Sequence, residues 1–301
     1  MADDEVLAGR FEEHRGHLRA VAYRMLGSLG EADDAVQETW LRLSRADLTD
    51  VRNLGGWLTT VTGRICLDML RARRTRREEP MDGYGTFLPD PVVGPLDGAD
   101  PEQEALRADS VGLALLVVLD TLRPAERLAF VLHDMFGVPF DDIAAVLDRS
   151  PAATRQLAGR ARRRVRDAGP APQPDPARQR EAVEAFLAAS RGGDFEALLA
   201  VLHPEVVLRV DAGALATGTA ASRVLKGRRP VAEQAFLYRS LSPHARLVRV
   251  NGGIGTLTVV DGRPLSVVGF TVRDGMVDGM YILSDPERLA GPAEAAGTGA
   301  A

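Results

Sequence analysis

No helix or strand can run through Gly169-Pro-Ala-Pro-Gln-Pro-Asp-Pro. Each proline lacks a backbone donor and pushes the residue before it out of the helical region, so the stretch reads as a stiff polyproline-type spacer. A second interruption, residues 80–101, carries five prolines and four aspartates without a basic residue, which predicts an extended, acidic, poorly ordered tether. The two interruptions cut the 301-residue chain into blocks at 1–79, 102–168 and 177–290, joined by linkers at 80–101 and 169–176. The Gly/Ala-rich 291–301 is expected to be a disordered tail. With 45% hydrophobic residues, two or more separate cores can form.

The first residues, Met1-Ala-Asp-Asp-Glu-Val, are acidic and lack the apolar region of a signal peptide. The longest nearly unbroken apolar run, Val111 to Leu119, is far too short to span a bilayer. A cytoplasmic protein without membrane contact is expected. Cys66 is the single cysteine, which excludes an intrachain disulfide and a cysteine-cluster metal site; it suits a buried position on a helix. No metal or cofactor is expected.

The net charge is −5, yet the basic residues are clustered. From Arg149 to Arg166 stand seven arginines and no acid, directly behind Asp142-Ile-Ala-Ala-Val-Leu-Asp-Arg-Ser. Ser150 suits an N-cap and Pro151 a first helical position, where its missing donor costs little. Leu157, Ala161 and Val165 recur every four residues as a packing stripe and leave the arginines elsewhere. A short apolar helix, a tight turn and a basic second helix are the parts of a helix-turn-helix, which lays one helix in a DNA major groove. Arginine is this chain's general cation, 36 against the single Lys226, so the run alone fits a solvated face equally well. The turn chemistry decides for DNA, together with an upstream helix expected over Pro124 to Phe136 and stopped by Gly137. Asp148 stands where many such turns place glycine, and it tolerates left-handed geometry better than most residues.

The first block reads as helical. Leu18, Val21, Ala22, Met25 and Leu26 have helical spacing, and a second helix runs from about Glu31 through Ala35, Val36, Trp40, Leu41 and Leu43. A third begins near Leu54, with Trp57, Leu58, Val61, Ile65, Leu67 and Leu70 as its core face. From Arg64 to Arg77 it holds six arginines against Asp68 alone, as suits a helix running along a phosphate backbone.

Glu31-Ala-Asp-Asp-Ala-Val-Gln-Glu-Thr-Trp-Leu-Arg-Leu and Trp57-Leu-Thr-Thr-Val-Thr-Gly-Arg-Ile-Cys-Leu-Asp-Met-Leu-Arg resemble region 2 of sigma-70 factors of the extracytoplasmic-function type, and the helix-turn-helix block resembles their region 4. The resemblance implies an RNA polymerase sigma factor that directs promoter-specific initiation, with core polymerase (beta-prime and beta subunits) and promoter DNA as partners. It places Asp33, Asp34, Gln37, Glu38 and Trp40 on the face that docks on the clamp helices of beta-prime. It assigns Asp47 to Asn53 and the following helix to opening and reading the −10 element, with Arg64, Arg71, Arg73 and Arg74 as cationic contacts. Arg64 stands where family members often carry Asn, so base-specific detail does not transfer there. The −35 element falls to the helix from Ser150, with Arg149, Thr154, Arg155 and Gln156 near base edges and Arg160, Arg162 and Arg163 near phosphates.

The third block has another grammar. Helices at Arg180 to Ser190 and Phe195 to Leu202 precede short β-branched runs separated by Asn-Gly-Gly, Asp-Gly-Arg and Arg-Asp-Gly turn signals. Two helices followed by a curved antiparallel sheet make an α+β cone, so the fold class is multidomain: two all-α sigma domains plus this cone. The block is similar to the SnoaL-like, or nuclear-transport-factor-2-like, superfamily. Tyr281-Ile-Leu-Ser-Asp-Pro-Glu-Arg-Leu and Tyr84-Gly-Thr-Phe-Leu-Pro-Asp-Pro resemble stretches of the sigma subgroup that carries such an extension, whereas Asp211-Ala-Gly-Ala-Leu departs from that subgroup's Asp-Gly-Gly-Gly-Lys. The resemblance implies a regulatory domain in contact with the sigma domains. Relatives of this fold that catalyse use an Asp or His in the cone; Asp211 and His203 are the candidates here, and no enzyme activity is expected. The competing readings are a ligand-responsive helix-turn-helix regulator and a SnoaL-type enzyme with a DNA-binding arm.

Overall fold

The computed structural model describes residues 2–49, 51–76, 87–96, 112–168, 175–213, 216, 218 and 221–295. They fall into two units, one comprising Met1–Met81 with Leu115–Gly169, the other Asp82–Ala114 with Pro170–Ala301.

The first unit is all helix. α1 (Ala2–Leu26) ends at Gly27, whose φ of 73° is a left-handed stop; Ser28 then caps α2 (Leu29–Leu43). Asn53 opens α3 (Leu54–Arg76) by accepting the Gly56 amide on Oδ1 at 3.0 Å. Phe11, Leu18, Val36, Leu43, Leu54 and Leu58 form the core of this bundle. α4 (Leu113–Asp120), α5 (Pro124–Phe130), α6 (Phe140–Leu147) and α7 (Pro151–Asp167) follow. The single helix expected over 124–136 is not continuous: after Phe130 it widens into a π turn, Val131–Met135. The widened turn sets the His133 ring 3.7 Å from Phe140 in a stack and its Nδ1 2.9 Å from the Val138 carbonyl.

α5 packs on α3 at Gly63, where a Cβ would meet Leu132 Cδ1 at 3.0 Å and Leu128 Cδ1 at 3.2 Å. Only glycine admits that approach without displacement. Beside it lies Arg127, 1% exposed, donating to the Arg24 carbonyl of α1 at 3.1 Å and paired with Asp120 at 3.1 Å. Cys66 is buried here, and burial pushes its thiol up to about 12, so it is a packing group and not a nucleophile.

The second unit is one seven-stranded sheet with helices against it. Its strands are β1 (Val93–Gly94), β2 (Leu202–Asp211), β3 (Arg223–Lys226), β4 (Ala245–Val250), β5 (Gly253–Val260), β6 (Arg263–Arg273) and β7 (Met276–Leu283), in the spatial order β1-β4-β5-β6-β7-β2-β3. All neighbours are antiparallel except β2 and β7. The three hairpins turn on Asn251-Gly252, Asp261-Gly262 and Asp274-Gly275, each pair at positive φ, the geometry whose twist matches the flanking strands. α8 (Pro176–Gly192), α9 (Phe195–Val201) and α10 (Arg228–Leu237) pack on the sheet, and α11 (Pro286–Ala295) follows it. Gln179 of α8 is buried and fully used, donating to the Phe270 carbonyl and accepting from the Ile254 amide, both at 3.0 Å. β3 and α10 lacked a sequence signal strong enough to expect them.

The acidic tether expected over 80–101 is partly built into this sheet. β1 pairs with β4, Val93 opposite Val250 and Gly94 opposite Arg249. Val92 and Asn251 exchange two hydrogen bonds at 2.9 and 3.1 Å, and the Leu88 amide donates to Asp211 Oδ2 at 2.9 Å. An edge strand offers a row of unpaired backbone groups, and Leu88 and Val93 bury their side chains on joining it. Residues 80–86 and 97–101 lie outside the described residues, as do 169–174 of the proline spacer and 296–301 of the tail. The tail's first five residues instead complete α11.

Candidate nucleic-acid interface

The turn before α7 forms as its chemistry requires. Asp148 sits at φ 53°, left-handed, and Ser150 Oγ accepts the Ala153 amide at 3.2 Å with Pro151 in the first turn. Leu157, Ala158 and Ala161 are buried, which turns Arg149, Arg155, Gln156 and Arg163 outward. Arg155 lies over the Phe140 ring, 5.7 Å from its centroid, so its guanidinium is partly oriented.

Three of the proposed DNA contacts also make contacts within the protein. Thr154 is fully buried and donates to the Ser150 carbonyl at 3.1 Å, so it cannot reach a base edge. Arg160 and Arg164 both pair at 3.0 Å with Glu126, a buried carboxylate, and Arg162 pairs with Asp134 at 2.5 Å. These arginines join α7 to α5 and the π turn while staying about half exposed, three cations against two acids. Sequence reading missed this because the acids lie 28 to 38 positions upstream. It also missed exposed Ala152, one turn ahead of Gln156, small enough to let the helix end approach a groove. Arg155→Ala is expected to relax sequence preference by about 1–3 kcal/mol, and Arg163→Ala to weaken all sequences alike while lowering the salt slope by about one. Binding isotherms at several salt concentrations read both; equal losses on every sequence from both variants would reject the division of labour.

On α2, Asp33, Asp34 and Gln37 are exposed and Glu38 is half-buried. Asp33 is held by Arg19 at 2.6 Å and Glu38 by Arg42 at 3.0 Å. Trp40 does not join this face: its ring lies 5.2 Å from Phe11, against the bundle core. Leu41 does join it. It is 40% exposed, four positions after Gln37 and seven after Asp34, so helical spacing puts it on the same stripe. Sequence reading named it only as part of the helix and did not place it on this face.

On α3, Arg64, Arg71 and Arg74 are exposed at spacings of seven and three, one helix face. Arg73 turns inward, donating to the Leu26 carbonyl at 3.2 Å and pairing with Glu31, so it ties the three helices together instead of facing DNA. Arg64 opens on a cleft of about 470 Å³ that Asn53, half-buried Trp57 and Thr60 line from one side, Asp142 and Val146 of α6 from the other. Among the described residues, no group of His, Cys, Asp and Glu could hold a metal ion.

In the second unit the two candidate acid/base groups are engaged elsewhere. Asp211 accepts the Leu88 amide, the Gly213 amide at 3.2 Å and Arg288 Nη1 at 2.7 Å. His203 Nδ1 accepts the Glu205 amide at 3.2 Å beside Arg273. Arg288 also holds Asp90 at 2.6 Å and the Leu88 carbonyl at 2.5 Å. Burial pulls its guanidinium down, but Asp90 and Asp211 outweigh that and raise it above the ordinary arginine value.

Comparison with known proteins bears on the family and the fold. Residues 10–76 match the family described as Sigma-70 region 2, and residues 112–165 that described as Sigma-70, region 4. The chain is 40% identical over 296 residues to the ECF RNA polymerase sigma factor SigJ of Mycobacterium tuberculosis, covering 93% of this chain and 92% of that protein. It is 35% identical over 291 residues to the probable ECF RNA polymerase sigma factor SigI of that species, covering 96% and 97%. The crystal structure of SigJ matches the fold at a TM-score of 0.75 and 37% identity, over 94% of this chain and 98% of that one.

Proposed function

The chain belongs to the extracytoplasmic-function sigma factors of RNA polymerase, and from that premise we propose which of its surfaces perform promoter-specific initiation. α2 docks on core polymerase, at the clamp helices of beta-prime, through Asp33, Asp34, Gln37, Glu38 and Leu41. Arg149 of the turn and Arg155 and Gln156 of α7 read the −35 element while Arg163 meets phosphate; Arg64, Arg71 and Arg74 hold the −10 strand. The work is cytoplasmic, on the chromosome. The observation that carries this reading is the outward row of α7, whose Arg155 and Arg163 have no acidic partner among the described residues, on a chain that is acidic overall.

Two further assignments follow from packing. Asp142 lies in the same cleft as Arg64 and repels phosphate, so α6 must move off α3 before a strand occupies that cleft. The α+β cone regulates the sigma domains through the linker it holds, because residues 88–94 lie on the only chain path between regions 2 and 4. Binding by α7 alone need only be weak, since polymerase supplies the effective concentration.

Run-off transcription with purified core polymerase and the full chain tests the assignment. Promoter-dependent transcripts are expected, and the double variant Gln37→Ala, Leu41→Arg is expected to lose them while keeping its circular dichroism spectrum. Full output from that variant would remove the docking face from α2.

A further inference from the structure

We propose that the α+β cone is a binding site for an anionic amphiphile, a small molecule with a mainly apolar body and one carboxylate- or sulfonate-like head. A cavity of about 450 Å³ lies inside this unit, within the size range of small-molecule sites. Phe186, Val231, Phe270 and Met280 give it apolar walls, and all four are buried. Its polar groups include Ser190 and Ser242, whose hydroxyls share a hydrogen bond at 2.5 Å, Gln234, and Thr256 and Thr258 on β5. A largely apolar cavity with a handful of fixed polar groups is the composition of a ligand site.

Charge selects the head group. Arg223 of β3 is the single charged residue among the described residues lining the cavity, and its Nη1 is steadied by the Ala221 carbonyl at 3.2 Å. Among the described residues that line the cavity there is no Asp, Glu or His. Two of the side chains that line it, Tyr238 at 37% and Leu265 at 39%, are exposed apolar groups that an entering apolar body would cover.

The cavity shares a wall with the linker clamp. Ser284 and Pro286 line it, the Ser284 amide donates to the Asp211 carbonyl at 2.8 Å, and Pro286 begins the helix that carries Arg288. An occupant there touches the segment that holds residues 88–90. The binding proposal stands apart from the transcriptional role of the cone and is tested without polymerase.

Two fluorescent dyes with the same aromatic body serve as probes on the full chain: 1-anilinonaphthalene-8-sulfonate, which is anionic, and N-phenyl-1-naphthylamine, which is neutral. Saturable one-to-one binding is expected, with the anionic dye at least tenfold tighter, as one charge-assisted hydrogen bond implies. Arg223→Gln is expected to erase that preference and leave the neutral dye unchanged. Ala235→Trp, which fills the cavity wall, is expected to weaken both dyes at least tenfold. Equal affinity of the two dyes for the unsubstituted chain, or a preference that survives Arg223→Gln, overturns the proposal. Because both dyes are compared within one protein, the Arg223→Gln result decides even if Ala235→Trp does not fold.

Discussion

Replacing Arg288 by alanine lowers the stability of the α+β unit by about 3–5 kcal/mol, the cost of removing one partner from a buried ion pair. Asp211 is buried and would be left with two backbone amides but no cation, while Asp90 and the Leu88 carbonyl lose the same donor. The loss is expected to fall on the linker first, because β1 is two residues long and has little else to hold it. Hydrogen exchange of the full chain reads this directly: amides of Leu88, Asn251 and Val92 lose protection in Arg288→Ala, whereas those in the middle of β6 do so only at global unfolding. Arg288→Lys recovers only part, since one ammonium cannot reach both carboxylates and the carbonyl in the planar fork an arginine provides. Unchanged protection at Leu88 and Val92 would show that the clamp does not hold the linker. Under the proposed regulation, run-off output from Arg288→Ala also departs from that of the unsubstituted chain.

Arg127→Ala has an effect of similar size in the helical unit, again about 3–5 kcal/mol. The guanidinium is 1% exposed, and its removal strands the Arg24 carbonyl and Asp120 around a cavity between α1 and α5. Arg127→Met separates packing from charge. Arg127 already carries a buried Nη2 without a partner among the described residues, so a flexible apolar chain of similar length relieves one cost while incurring another. Methionine is therefore expected to recover at least half of the loss in chemical denaturation. A loss below about 1 kcal/mol for alanine would mean that the joint is wet and that the guanidinium is not a structural element.

Local chemistry made much of this protein legible. The helix-turn-helix was readable because Asp148, Ser150 and Pro151 each solve a problem that arises within four residues of themselves. The hairpins of the cone were readable because Asn-Gly and Asp-Gly accept positive φ at neighbouring positions. The docking stripe of α2 came from the family resemblance, which placed Trp40 on it and left out Leu41, whereas Trp40 packs against the core and Leu41 is exposed. Exposure of an apolar side chain is a property of what packs nearby, which periodicity does not report.

Composition proved a poor guide to where charge is free. Seven arginines between 149 and 166 look alike in sequence, yet Arg160, Arg162 and Arg164 pair with Glu126 and Asp134. Arg73 looked like Arg71 and Arg74 but reaches back to Glu31. The proline- and aspartate-rich linker looked unable to pack, yet Leu88 and Val93 are buried and Asp90 is paired.

The sequence by itself determined the elements that rest on short-range physics: caps, turns, amphipathic faces, and with them two helical sigma domains followed by an α+β cone. The tertiary structure decided which residues of those elements remain for function. That decision rests on partners brought together across the chain, such as Arg288 with Leu88 some 200 positions away, and on a cavity whose walls come from two helices and most of a sheet. Burial and charge matching are properties of such long-range neighbours, and no window of sequence contains them.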